Sequence, residues 1–210
     1  MKKIENNSLD YKKKLFILED VKKIVTRKGW SKDIFKNLSN KKIQSSEFVY
    51  LFPNGYIDLI NFTLDEVNKS LENKVKKINI INFPISKRVK KILTLRLEIF
   101  DKDKIFYKKT FNHLLLSNNS KIMKKNLYNT VDNIWYLAGD NSTDFSFYTK
   151  RITLAVIYIN ALLVFYNKDL KNAEFNIDKN LKKISKIPKI KERLTFIKEN
   201  LPVFLKGIIN

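Results

Sequence analysis

One stretch limits what this chain can become. From Val131 to Tyr166 it reads VDNIWYLAGDNSTDFSFYTKRITLAVIYINALLVFY. The pattern predicts helix, polar break, helix. Trp135 and Tyr136 close the first helix. Gly139-Asp140-Asn141-Ser142 breaks it, because Gly tolerates positive φ and Asn and Asp favour turns. Ser142 or Thr143 then caps the next helix by accepting a bond from an otherwise unpaired N–H. That helix carries Phe145, Phe147, Tyr148, the cationic pair Lys150-Arg151 and a nearly unbroken apolar run from Ile152 to Tyr166. About 20 apolar residues are needed to cross a bilayer. This run is shorter and contains Thr153 and Asn160, so a buried helix is expected, and what it shelters becomes the question of function.

The rest of the chain reads as all-α. Residues 1–9 look like a frayed basic tail. Leu15, Leu18, Val21 and Val25, with Ile17 and Ile24 beside them, give an amphipathic first helix over 10–28 that Gly29 ends. Ser31 caps a second short helix through Ile34, Phe35 and Leu38. Ser45 or Ser46 starts a third, with Phe48, Val49, Leu51 and Phe52, broken by Pro53-Asn54-Gly55. Three short helices with these breaks form a helix-turn-helix pattern. Ile57, Ile60, Leu64, Val67, Leu71 and Ile78, with Val75 adjacent, predict a long helix over about 56–80. Pro84 suits the first turn of another, running to about Phe100. Further helices are expected at about 103–116, from the Ser117–Ser120 loop to Leu137, over the apolar run, and at 175–187, stopped by Pro188. The boundaries expected are 1–53 for the helix-turn-helix-like module, 54–188 for a C-terminal bundle and 189–210 for an amphipathic terminal helix.

Composition removes whole classes of chemistry. With no Cys, disulfides and thiolate chemistry are excluded. The single His113 cannot build a two-histidine metal site. No Glu-x-x-His, Gly-rich phosphate loop or Ser-His-Asp spacing is present. No catalytic residue, metal ligand or cofactor is therefore expected, and a binding protein is favoured over an enzyme. The net charge of +21 fits nucleic acid or an anionic membrane surface. It also fits a compositional bias, since Lys far outnumbers Arg and Asn and Ile are frequent throughout. The start, MKKIENNSLD, has no apolar signal region, so a cytoplasmic protein is expected.

The last segment places Ile190, Leu194, Ile197, Leu201 and Phe204 near helical spacing among lysines and Arg193. Such a helix suits a membrane interface; docking on its own domain or on a partner subunit fits the same pattern. Pro202 kinks it. An apolar helix too short to span, beside a basic amphipathic tail, suits a protein that handles an insoluble ligand at a membrane surface. The expected lining residues are Ile134, Trp135, Leu154, Ile157, Tyr158, Ala161, Leu162 and Phe165. Plain core packing would use the same side chains.

Two stretches resemble known families. LFILEDVKKIVTRKGWSKDIFKNLSNKKIQSSEFVYLFPNGYIDLINF is similar in layout to the N-terminal helix-turn-helix of TetR-type regulators. VDNIWYLAGDNSTDFSFYTKRITLAVIYINALLVFYNKD resembles the signature of the coenzyme Q biosynthesis accessory lipid-binding family, the "Coq-nine" proteins, which have a TetR-like fold. FNIDKNLKKISKIPKIKERL is similar to that family too. The resemblance implies an all-α homodimer without catalytic activity, peripheral to the inner membrane. It implies an isoprenoid or phospholipid ligand held among the C-terminal helices, and delivery of quinone intermediates to the di-iron hydroxylase of ubiquinone synthesis. The family's partner-facing patch matches at Asp144, Phe147, Tyr148 and Arg151, with Phe147 standing where the family has Trp.

Two rivals stand beside that reading. A TetR-type DNA-binding repressor would read the major groove from its recognition helix. Here SSEFVYLF offers Glu47 and aromatics but no Lys or Arg, so no nucleic acid partner is expected. A structural dimerisation protein without a ligand is the other.

Overall fold

In the computed structural model, the residues described are 2–36, 38, 45–142, 145–185, 195, 199 and 200; of residues 2–8, 45, 145 and 146 only the backbone is described. Among them the chain is all-α: α1 (Lys2–Lys28), α2 (Ser45–Leu51), α3 (Tyr56–Lys76), α4 (Ile85–Asp101), α5 (Lys104–Leu114), α6 (Ser120–Leu137), α7 (Phe145–Asn167) and α8 (Leu170–Ser185), with a 3-10 turn at Ser117–Asn119. Two compact units form. One holds 1–66 with 105–116; the other holds 67–104 with 117–210.

In the first unit α1 buries Ile17, Leu18, Val21 and Val25. It begins at Lys2, so 2–9 are helix and not a frayed tail; no Gly or Pro interrupts them. Residues 31–36 and 38 are not in an α-helix. Their bonds run Ile34 N to Ser31 O, Lys36 N to Asp33 O and Leu38 N to Phe35 O, each three residues back. Ile34 and Leu38 are buried all the same, so the apolar pattern is satisfied by successive turns. Phe35 meets Phe48 and Phe52 at centroid distances of 5.2 and 6.0 Å. Gly55 takes φ 63°, the left-handed geometry that lets α2 hand over to α3. His113 lies beside Trp30 and Tyr56, and burial lowers its pKa.

The second unit packs α7 against α8, α6 and α4, and α4 against α6 and α8. α3 ends at Lys76 and does not reach 80; its buried seam there is Val67, Leu71 and Val75, and Ile78 falls in the turn beyond. Pro84 precedes α4 as its N-cap, at φ −55° and ψ 148°, rather than entering the first turn. α4 buries Val89, Ile92, Leu93 and Leu97 as the periodicity requires, and also Leu95, Ile99 and Phe100. α7 has no polar face: Leu154, Val156, Ile157, Tyr158, Ile159, Ala161, Leu162, Phe165 and Tyr166 are all buried. A helix apolar all round needs neighbours on every side. By length and composition α7 could cross a membrane, but 56% of its most apolar window is already buried within the protein. α8 starts at Leu170, where Asp169 accepts the Asn172 backbone N–H at 2.7 Å, an N-cap bond. Its buried residues are Ala173 and Ile177, while Phe175 is 71% exposed.

Candidate functional site

The break at 138–142 builds a corner. Gly139 sits at φ 80°, and a Cβ there would lie 3.0 Å from an Arg88 guanidinium nitrogen. The left-handed φ favours Gly, and the guanidinium would have to give way to a Cβ. The turn drops Asp140 beneath the start of α7, where its side chain is 5% exposed. Lys150 Nζ and Ser142 Oγ each donate to this carboxylate at 2.7 Å. Burial works against its charge, but those bonds and the Lys150 charge outweigh burial, so the Asp140 pKa lies below the ordinary carboxylate value. Arg151, 7% exposed, donates to Asp132 at 2.7 Å and to the Phe147 carbonyl at 3.2 Å. Asp140 lies 3.6 Å from it on the other side. Two consecutive cations are thus tied to two carboxylates eight residues apart, fixing the angle between α6 and α7.

The patch expected to face a partner divides here. Tyr148 is 62% exposed and Phe147 meets it edge-on, centroids 5.2 Å apart. Arg151 faces inward, its guanidinium 3.2 Å from the Phe147 ring centroid, so it sets the position of that ring from behind. Asp144 lies outside the described residues, as do Ile190, Leu194, Ile197, Leu201, Phe204 and Pro202.

Beside the corner an apolar cleft of about 170 Å³ opens among α4, α6, α7 and α8. Ile85 and Val89, Trp135, Leu154 and Ile157, and Leu181 and Ile184 form its walls, with Ser86, Lys150, Thr153 and Ser185 supplying the polar atoms. A cavity of roughly 150 Å³ holds one benzene, so this cleft takes one ring or one isoprene unit. Lys150 Nζ stands 5.6 Å from the Trp135 ring centroid, joining corner and cleft. The Trp135 indole nitrogen is buried with no acceptor among the described residues. Of the eight lining residues expected, Trp135, Leu154 and Ile157 meet at this cleft. Ile134, Ala161, Leu162 and Phe165 are buried elsewhere in the bundle, Phe165 beneath the Lys104 ammonium at 4.6 Å. Two other depressions, about 380 and 390 Å³, are larger but lined mainly by amides and charged groups.

Tyr158 belongs to a polar knot that sequence reasoning missed. Arg96, fully buried in α4, donates from Nε to Tyr158 Oη at 2.9 Å. Its other nitrogens donate to Asn68 Oδ1 at 2.7 Å and Thr130 Oγ1 at 3.2 Å. The Phe100 and Tyr158 rings flank the cation at 5.4 and 5.7 Å. The available signal was an arginine inside the apolar run ILTLRLEIF.

The COQ9 family model matches residues 121–187, which cover α6, the corner, α7 and α8. The chain is 28% identical over 143 residues, 65% of its length, to the ubiquinone biosynthesis protein COQ9-A, mitochondrial, of Xenopus laevis, covering 45% of that protein. It is 45% identical over 51 residues to ubiquinone biosynthesis protein COQ9, mitochondrial, of Homo sapiens, 24% of this chain and 16% of that one. The probable ubiquinone biosynthesis protein coq9, mitochondrial, of Dictyostelium discoideum is likewise 45% identical over 51 residues, 23% of this chain and 17% of that one. The chain therefore spans less than half the length of these relatives. The region matched by the family model holds the corner and the α6, α7 and α8 walls of the cleft, and over that region the chain is similar to the COQ9 family.

Proposed function

We propose that this chain is a non-catalytic, lipid-binding accessory protein of ubiquinone biosynthesis. It takes a polyprenyl quinone intermediate at the inner-membrane surface, where it is peripherally associated, and presents it to the di-iron hydroxylase of the pathway. The observation that carries the reading is the apolar cleft, walled by α4 and by the α6–α8 segment that matches the family model. Burying isoprene carbons contributes about 25 cal/mol per Å² of apolar surface, so the tail supplies most of the affinity and the cleft holds one end of it. The indole N–H of Trp135, without an acceptor among the described residues, supports a ligand that brings an oxygen acceptor. Exposed Tyr148, with Phe147 against it, serves as the docking patch for the hydroxylase together with Asp144, Arg151 holding the Phe147 ring from beneath. The terminal segment 189–210 contributes the amphipathic membrane helix, and the TetR-like arrangement and a homodimer complete the proposal.

A DNA-binding repressor is not favoured. α2 carries no Lys or Arg, and its one charged side chain, Glu47, is held by Lys13 at 2.6 Å. The relatives are named for ubiquinone biosynthesis.

Organic extraction of the purified chain followed by mass spectrometry tests the ligand. An isoprenoid lipid in the extract is the expected result; an empty protein that also takes up no added quinone contradicts it. Tyr148→Lys tests the docking patch: helix content stays, because the ring is in solvent, and co-purification of the hydroxylase is lost.

A further inference from the structure

We propose that the segment Ile81–Ile85, which runs from the α3–α4 connection into the first residue of α4, is an insertion loop that seats the mouth of the cleft on an anionic lipid surface. The inference rests on the lipid-carrier reading and assigns its membrane contact to an element outside the region matched by the family model.

Three large apolar side chains stand in water within five residues: Ile81 is 73% exposed, Phe83 44% and Ile85 43%. An exposed apolar cluster of this kind marks a surface made to be covered. The loop is also prepared for an apolar medium. A bare carbonyl carried into a bilayer would cost heavily. Arg88 lowers that cost at two of the loop carbonyls: Nε donates to the Phe83 carbonyl at 2.7 Å and one terminal nitrogen to the Ile81 carbonyl at 2.5 Å. The other terminal nitrogen donates to the Ala138 carbonyl at 3.1 Å, fastening the loop to the signature corner. Pro84 has no N–H to satisfy.

Charge selects the partner. Residues 76–91 contain six cations and no Asp or Glu. Arg88 is committed to carbonyls and Lys90 pairs with Asp178 at 2.8 Å. Lys76, Lys77, Lys87 and Lys91 remain, all exposed. Apolar side chains at the tip with lysines on both flanks match an anionic headgroup layer above acyl chains. Ile85, the last residue of the segment, and Ser86 after it are also part of the cleft wall, so the segment adjoins the cleft it serves.

The chain has no Cys, so Phe83→Cys carrying an environment-sensitive fluorophore reports this loop alone. Tyr128→Cys, an exposed position on α6, serves as the control. With vesicles of phosphatidylcholine and phosphatidylglycerol, the Phe83 probe shifts to the blue and the Tyr128 probe does not. The pair Ile81→Asp/Phe83→Asp lowers vesicle affinity about tenfold or more. The neutral pair Ile81→Ser/Phe83→Ser also lowers it, which separates lost apolar contact from added repulsion. Both positions face solvent, so circular dichroism stays unchanged. Vesicle binding with an unshifted Phe83 probe and unaltered affinity overturns the loop and leaves the carrier reading standing. Absence of any vesicle binding by the full chain overturns both. A blue shift that grows with protein concentration without vesicles assigns the loop to a second copy and also overturns the proposal.

Discussion

Arg96 in α4 and Arg151 in α7 are both out of water, on helices that touch, yet they are held in different ways. Arg151 ends on two carboxylates, Asp132 and Asp140. Arg96 ends on a phenol, an amide oxygen and a threonine hydroxyl, between two aromatic rings. The corner around Arg151 is a neutralised cluster at the edge of the bundle, and its purpose is an angle between two helices. The knot around Arg96 keeps a cation in the interior on neutral acceptors, and those acceptors come from α3, α6 and α7. A buried charge is costly unless every donor is met. Arg96 therefore ties the packing of α4 to that of three other helices.

That comparison breaks most visibly at Arg96. Arg96→Ala removes the cation, leaves a cavity and strands two buried acceptors, Tyr158 and Thr130, and the half-buried Asn68; unfolding free energy falls by about 3–5 kcal/mol. Chemical denaturation followed by circular dichroism measures it. A loss no larger than that of Asp140→Asn would show the knot to be no stronger than the corner. Asp140→Asn keeps one acceptor and loses the charge, for a loss of about 1–3 kcal/mol. Its pH dependence sharpens the contrast. The Asp140 pKa is depressed in the folded protein, so its contribution is complete above the unfolded value of ~3.9 and is lost as pH falls through the lower folded value. The wild type therefore loses more stability than Asp140→Asn in that acid window, whereas the Arg96 knot contains no carboxylate to titrate. Gly139→Ala is the mildest change. The left-handed φ and the close approach of Arg88 cost about 1–2 kcal/mol, read as a lowered denaturation midpoint with an unchanged slope.

Much of the fold was legible from periodicity, and the reason shows in particular residues. α4 announced Val89, Ile92, Leu93 and Leu97, and the Gly139 break fell where the left-handed turn stands. Residues 31–38 carried a helical apolar pattern, but two buried side chains are as well served by turns as by a helix. The corner was visible only as a break, because Asp140 finds Lys150 ten residues later through the turn itself. The partners of Arg96 lie 28, 34 and 62 residues away, beyond any local pattern. The cleft was legible as greasy helices but not as a shape: which of the buried side chains leave a gap depends on α8, where Leu181 and Ile184 form a wall and Phe175, equally apolar, points to solvent.

The central claim is that the cleft beside Trp135 receives an isoprenoid quinone. The chain has two tryptophans, Trp30 and Trp135, so Trp30→Phe leaves a single emitter in the cleft wall. Titration of that variant with a short-tailed ubiquinone is expected to quench Trp135 emission to saturation, and filling the cleft with Ile157→Trp in a Trp135→Phe background is expected to abolish uptake of the same quinone measured by equilibrium dialysis. Quenching that rises linearly without saturation, together with uptake unchanged in the filled variant, would contradict the account.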